Sequence, residues 1–136
     1  MNSVKSQKSQ NNTCWSFSNA DQVVFAVVPI KVAKDATTTN NIIQCKVDTG
    51  FNGVIGIPKE IIDSLNFIAV GSLQIQTASG MGHVSYYHGY VSIENTKFEN
   101  LKAIILQTPR PIIGRSLLNL GKWLYDGPNE KWCLIP

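Results

Sequence analysis

The sequence predicts a mainly β domain made of short strands with one or two small helices. β-Branched and aromatic residues occur in short runs, several of these runs alternate apolar and polar side chains, and Gly, Pro, Asn and Asp separate one run from the next. The length of 136 residues suits one domain, with a core large enough to fold without a metal or a disulfide.

The chain is expected to begin with a flexible polar tail. Residues 1–13 consist mostly of Asn, Ser, Gln and Lys, so they cannot bury enough apolar area to offset the entropy lost on ordering. The character changes after this stretch, and residues 14–136 are predicted to form a single domain. No internal repeat is visible in the sequence.

Strands and turns alternate in the first half of this domain. β-Branched residues are concentrated over 22–32, and strand character resumes at 42–47 after a polar, turn-like run over 35–41. Pro29 favours an edge position or a bulge, because proline cannot donate to a strand ladder. The strands predicted in this half are 14–17, 22–32, 42–47 and 53–57.

The second half continues the β pattern with two helical interruptions. Pro58 precedes a segment that predicts a helix of at most two turns, since proline is favoured in the first turn. Two glycines within 78–83 predict a mobile hairpin tip, and the run 126–129 predicts the turn of a C-terminal hairpin over 122–135. The remaining strands are predicted at 72–77, 84–93 and 101–107, and a further helical turn at 116–120.

Composition argues against several classes of protein. Twelve basic and nine acidic residues give a net charge of +3, which is too mild to indicate a nucleic-acid or anionic-membrane partner. No apolar run approaches the ~20 residues of a spanning helix, so the cytoplasm is the default location. Cys14, Cys45 and Cys133 are odd in number and lack ligand spacing, so we expect free thiols, no metal and no cofactor.

One short motif carries the candidate chemistry. Val47-Asp48-Thr49-Gly50 places an acid where a predicted strand ends, and Asp-Thr-Gly or Asp-Ser-Gly occurs nowhere else in the chain. Two carboxyls that share one proton can activate a water and a carbonyl oxygen together. Thr49 would lock the loop by hydrogen bonding, and Gly50 would let backbone N–H groups approach the acid. With one such acid per chain, catalysis requires a homodimer.

Three segments together resemble the retropepsin family, the dimeric aspartic proteases of retroviruses. They are VDTG at 47–50, a glycine-bearing hairpin about thirty residues later, and IIGRSLLNLG at 112–121, which leads into a short Leu-Leu helix. The run DTGFNGVIGIPKEII at 48–62 is still more similar to stand-alone retropepsin-like proteases of prokaryotes. The resemblance covers residues 22–121 and implies a small closed β-barrel with a flap hairpin.

The resemblance also implies roles for single residues. Asp48 would be the catalytic acid and base, and a polypeptide substrate would bind as an added strand beneath the flap. Gly114 would lie beneath the catalytic loop, and Arg115 needs a new partner because Asn52 replaces the Asp that pairs with this arginine in retroviral enzymes. The implied flap residues are Ala78, Ser79, Gly80, Met81, Gly82 and His83, and the implied pocket walls are Ile55, Ile57, Met81 and Ile113.

Two functions remain open from the sequence. The first is an aspartic endopeptidase, active as a homodimer, that hydrolyses extended segments with hydrophobic side chains around the scissile bond. The second is a dimeric peptide-binding module of the same fold with little or no catalysis. The substitution Asp48→Asn discriminates between them, since it should abolish turnover in the first case and leave function nearly intact in the second. His83 and His88 lack the serine or cysteine arrangement of a triad.

Overall fold

The computed structural model describes residues 11–19, 23–35 and 41–136. This part of the chain is mainly β, with ten strands and two short helices, which confirms the predicted fold class. Most of the predicted tail, residues 1–10, lies outside the described residues, and so do Gln22 and the middle of the predicted loop, residues 36–40. The first strand begins at Thr13, within the range assigned to the tail.

The order of the elements follows the sequence prediction closely. The strands are β1 (Thr13–Ser16), β2 (Val27–Ala33), β3 (Asn41–Val47), β4 (Ile55–Ile57), β5 (Ala69–Thr77), β6 (Gly80–Ser92), β7 (Leu101–Gln107), β8 (Ile112–Ile113), β9 (Lys122–Asp126) and β10 (Lys131–Ile135). The helices are α1 (Lys59–Ser64) and α2 (Arg115–Leu118). Pro58 lies immediately before α1, and its carbonyl accepts hydrogen bonds from the N–H groups of Ile61 and Ile62, both at 3.1 Å. The predicted strand at 101–107 and the C-terminal hairpin are confirmed.

Seven strands form one sheet that closes on itself. They are ordered β2-β3-β8-β4-β7-β6-β5, and a further pairing between β2 and β6 joins the sheet into a barrel, with β5 outside the closure. The β2–β6 pairing begins only at Lys31, so Pro29 pairs with Gln44 of β3 on one side and needs no ladder partner on the other. This placement satisfies the constraint that a proline sets on a strand.

The barrel interior is the core of the domain. Alternate residues of β2, namely Val28, Ile30 and Val32, have no exposed surface, as expected for a strand whose successive side chains point to opposite faces. Cys45 of β3 is likewise fully buried. Among the described residues no polar or charged side chain is buried, so the core is held by apolar packing. Its other fully buried members include Ile55, Ile57, Ile62, Ile105, Ile113 and Leu117.

The two ends of the chain meet in a separate three-stranded sheet, and here one prediction is wrong. In the order β1-β10-β9, Cys14 lies directly opposite Cys133, with their Cα atoms 4.0 Å apart, and the two form a disulfide. Only Cys45 is a free cysteine, and it is buried. A separation of 119 residues hides the pairing from the sequence, because only the register of β1 on β10 brings the two sulfurs together.

Candidate active site

The candidate catalytic acid lies at the end of a strand, as the sequence predicts. β3 ends at Val47, and Asp48 follows it in a half-buried position. β3 runs parallel to the short strand β8, with Val47 opposite Ile113. The Asp48 N–H donates to the carbonyl of Ile113 at 2.9 Å, and the Asp48 carbonyl accepts from the N–H of Phe51 at 3.1 Å. The first bond continues the hydrogen bonding between β3 and β8 as far as Asp48, and the second closes a turn directly after the acid, so both fix its backbone.

A backbone N–H, and no side chain of a described residue, hydrogen bonds the Asp48 carboxylate. The N–H of Gly50 donates to Asp48 Oδ1 at 2.9 Å, and a Cβ at position 50 would lie 3.3 Å from that oxygen. Glycine therefore lets the main chain approach the carboxylate, as the sequence predicts. The Thr49 side chain is exposed, and its hydroxyl makes no hydrogen bond to another described residue. The predicted locking of the loop by this hydroxyl is therefore not seen within one chain.

The start of α2 supports the loop that follows the acid. The N–H of Arg115 donates to the carbonyl of Phe51 at 2.8 Å, and the N–H of Ser116 donates to the carbonyl of Gly53 at 3.2 Å. A Cβ on Gly114 would lie only 2.4 Å from the Phe51 carbonyl oxygen and 2.5 Å from that of Gly53. Only glycine lets the two segments approach so closely, which explains the Ile-Ile-Gly-Arg pattern physically.

Sequence reasoning missed one supporting residue. Ser116 Oγ donates to the carbonyl of Asn52 at 2.5 Å, so a hydroxyl anchors the loop that follows the acid. The pattern of a serine directly after Gly-Arg is too common in helix first turns to signal this role. The Arg115 and Asn52 side chains are exposed, and no ion pair of Arg115 is found among the described residues.

The predicted flap is a long hairpin with a tighter tip than expected. β5 and β6 pair from Thr77 opposite Gly80 onward, so only Ala78 and Ser79 form the turn. Gly80 has a φ of +122°, a conformation that favours glycine, and this lets β6 begin directly after the turn. The stretch from Gly80 to His83 is therefore strand and not loop, because its glycines still pair along β5. Met81 and His83 are exposed on this hairpin.

A cleft of about 480 Å³ separates the Asp48 loop from the hairpin. Its walls come from the loop after the acid, from both strands of the hairpin, and from the end of β7. Residues that line it include Phe51, Asn52, Gln74, Gln76, Val84 and Gln107. The expected walls Ile55, Ile57 and Ile113 have no exposed surface and do not line this cleft. Their inward orientation in the barrel makes them part of its core instead.

The cysteine and the two histidines considered as other catalytic groups do not form a second catalytic site. Burial raises the pKa of the Cys45 thiol from 9.0 to about 12, so it stays protonated and is a poor nucleophile. His83 and His88 are exposed. No cluster of three or more His, Cys, Asp or Glu that could hold a metal exists in the part of the chain described here. Both described helices also fall well short of the length and apolar character that crossing a membrane demands.

The closed barrel, the flap hairpin and the strand-end Asp-Thr-Gly loop together define a retropepsin-like fold. A retropepsin-like aspartic protease from Rickettsia conorii matches with a TM-score of 0.57 and 21% identity over 92% of this chain and 99% of its own. The EIAV protease, complexed with the inhibitor HBY-793, matches with a TM-score of 0.50 and 16% identity over 75% of this chain and 90% of its own.

The likeness to these proteases rests on structure and not on overall sequence. No protein-family model matches the chain, and no curated protein sequence is significantly similar to it. At these low identities the two solved structures establish the fold alone.

Proposed function

We propose that this protein is an aspartic endopeptidase that acts as a homodimer. The observation that carries the proposal is the Asp48 carboxylate, held by the Gly50 N–H at the end of β3 beside a cleft beneath a hairpin. A carboxylate fixed by backbone and only half buried can reach both water and a bound peptide. The aspartic protease fold of the two solved structures supports the same reaction.

A second copy of the chain supplies the second carboxylate. Peptide hydrolysis by this route needs one ionised and one neutral carboxyl close together, and the chain has a single Asp-Thr-Gly loop. Two Asp48 residues related by a two-fold axis share one proton, so the pair titrates as a unit. The ionised member takes a proton from the attacking water, while the neutral member donates to the carbonyl oxygen of the scissile bond.

An extended polypeptide is the proposed substrate. The hairpin of β5 and β6 stands over the cleft, and its outer strand β5 pairs only with β6 among the described strands. A peptide in strand conformation can add main-chain hydrogen bonds beside such elements, while its alternate side chains enter the cleft. Asn52, Gln74, Gln76 and Gln107 give the cleft a polar side that can bind peptide groups as well as side chains.

The proposed location depends on the state of Cys14 and Cys133. A cytoplasmic protein would keep both as thiols, because the cytosol is reducing, whereas the disulfide of the structure favours an oxidising compartment. Trapping thiols with iodoacetamide at the moment of cell lysis, followed by mass spectrometry of the labelled protein, decides between the two. Labelled Cys14 would support the cytoplasm.

The decisive experiment compares the wild type with Asp48→Asn on a mixed peptide library at about pH 4 to 7, with and without pepstatin. Asp63→Asn is the matched control, since it makes the same change on the exposed face of α1. We expect cleavage by the wild type and the control, blocked by pepstatin, and none by Asp48→Asn. Sedimentation of the wild type should show a dimer.

Three results would contradict the proposal. Turnover that survives Asp48→Asn, or that persists undiminished at about pH 9, would exclude a shared-proton carboxyl pair. A strictly monomeric active protein would exclude a site built from two copies. A folded dimer that binds library peptides without cleaving them would instead support the peptide-binding module.

A further inference from the structure

A second pocket is lined by residues of β2 and β3, of the segment before β2, and of the loop between β7 and β8. Its volume is about 220 Å³. It is mostly apolar at its base and carries two cations, and we call it the cationic pocket. Residues that line it include Phe25, Val27, Gln44, Lys46, Arg110 and Pro111.

Along β3, a single residue separates the lining of the cationic pocket from the proposed catalytic acid. Ile43 and Cys45 point into the core, so Gln44 and Lys46 point outward. Lys46 precedes Asp48 by two residues, which in a strand separates their Cα atoms by about 6–7 Å on the same face. An extended peptide that passes Asp48 has the same spacing between alternate side chains, so one of them can enter this pocket.

The loop between β7 and β8 connects the cationic pocket to the cleft. Thr108 lines the cleft, whereas Arg110 and Pro111 line the cationic pocket. Thr108 Oγ1 donates to the carbonyl of Arg110 at 2.7 Å, and the N–H of Lys46 donates to the carbonyl of Pro111 at 3.0 Å. These bonds fix the loop against β3. The same loop therefore contributes to the walls of both the cleft and the cationic pocket.

Charge sets the chemistry of the cationic pocket. The Lys46 ammonium lies 5.2 Å from the centre of the Phe25 ring, in cation–π contact at the pocket. Arg110, the second cation of the lining, is exposed. No acidic residue is among the described lining, and neither cation forms an ion pair with a residue that the structure describes. Two cations over an apolar base suit a side chain with methylene groups and a terminal carboxylate.

We propose that the cationic pocket binds an acidic side chain, Glu or Asp, of an extended peptide and thereby makes the protein prefer substrates with an acid near the scissile bond. This inference rests on the proposed function, because it places the substrate across Asp48. It adds one acidic side chain to the hydrophobic side chains expected around the scissile bond. Glu fits better than Asp, because its longer stem can cover Val27 and Phe25 while the carboxylate reaches the cations.

The test starts from a peptide that the wild type cleaves. At each position around the cleaved bond in turn, two versions of this peptide are compared, one with Glu at that position and one with Gln. We expect a higher kcat/KM for the Glu peptide at one position, by about 3- to 10-fold for contacts with partly exposed cations. Raising the ionic strength from about 0.1 M to about 1 M shortens the screening length from about 10 Å to about 3 Å, so the ratio should fall.

Variants then assign the preference to the two cations. Lys46→Gln and Arg110→Gln should each bring the Glu-to-Gln ratio towards one, and Arg110→Glu should favour a Lys peptide over its Gln twin. Lys122→Gln is the control, since it removes one exposed cation at the start of β9, outside the pocket. A ratio that changes equally in the control would show a general effect of net charge and overturn the assignment.

Failure of this inference is separable from failure of the proposed function. Equal cleavage of Glu and Gln peptides at every position would refute the proposed role of the cationic pocket, while the proposed protease activity would be unaffected. If the wild type cleaves nothing, the protease is refuted, and the same fluorescent peptides are compared by anisotropy for binding to the wild type. Tighter binding of the Glu peptide, lost in Arg110→Gln, would still support the pocket, and equal binding would refute it.

Discussion

Breaking the disulfide between Cys14 and Cys133 should lower the stability of the protein substantially without unfolding it. The bond joins residues 119 apart, so in the unfolded chain it closes nearly the whole sequence into one loop. The chain-entropy relation gives about 5 kcal/mol for a loop of this length, while measured effects of disulfides are typically about 2–4 kcal/mol. We therefore expect the free energy of unfolding to fall by about 2–5 kcal/mol on reduction.

The native fold should survive this loss, because other contacts retain β1. Its four residues pair with β10, Trp15 packs against the core, and the N–H of Phe17 donates to the carbonyl of Glu130 at 2.9 Å. Phe17 also lies 5.2 Å from the ring of Tyr125. The reduced protein should therefore keep its β circular dichroism while its unfolding midpoint falls.

The assay is urea unfolding of the wild type and of Cys14→Ser, each with and without a dithiol reductant. Cys14 is exposed, so a serine there leaves its hydroxyl in water. Reductant should destabilise the wild type to the level of the variant and have no effect on the variant itself. Thiol titration in denaturant should find one reactive cysteine per oxidised chain, Cys45. Three reactive thiols, or a midpoint insensitive to reductant, would refute the reasoning.

Three further predictions test the packing around the site. Gly114→Ala should lower the free energy of unfolding by at least about 2 kcal/mol, because the new Cβ would meet two carbonyl oxygens. Gly82→Ala is the control, since a Cβ there meets nothing within 4 Å, and it should change the free energy of unfolding by less than about 0.5 kcal/mol in the same denaturant titration. Ser116→Ala should cost about 0.5–1.5 kcal/mol through the lost bond to the Asn52 carbonyl, and an unchanged unfolding midpoint would contradict that role. Burial raises the pKa of Cys45, so the folded thiol holds its proton at a pH where the unfolded one has lost it. The free energy of unfolding should therefore fall as the pH rises from about 9 towards 12, and Cys45→Ala should remove that part of the alkaline slope.

Local patterns predicted most of the strands because strands obey local rules, whereas the closed barrel was implied only by the family resemblance. The alternation in β3 buries Ile43 and Cys45 and ends at Asp48, so both the strand and the position of the acid could be read from the sequence. The turn of the C-terminal hairpin likewise follows from Gly127 and its neighbours, which disfavour strand. These features depend on residues that are close in the chain.

Features set by distant residues could not be predicted in the same way. The Cys14–Cys133 pairing requires the register of two strands at opposite ends of the chain. The burial of Ile55 and Ile57 depends on β4 lying between β7 and β8, which turns both side chains into the core. The sequence marks such residues as apolar, but only the topology decides whether an apolar residue faces the core or a substrate.

The exposed polar groups on the loop after Asp48 and at the start of α2 are relevant to the proposed homodimer. The core of the described protein contains no buried polar side chain, whereas Thr49, Asn52 and Arg115 are exposed on the loop after the acid and at the start of α2. Within one chain, no described residue hydrogen bonds the Thr49 hydroxyl or forms an ion pair with Arg115. A second copy placed across this surface would give those groups partners and would bring its own Asp48 to the first. The proposed homodimer would account for both the exposed polar groups and the single Asp-Thr-Gly carboxylate of the chain.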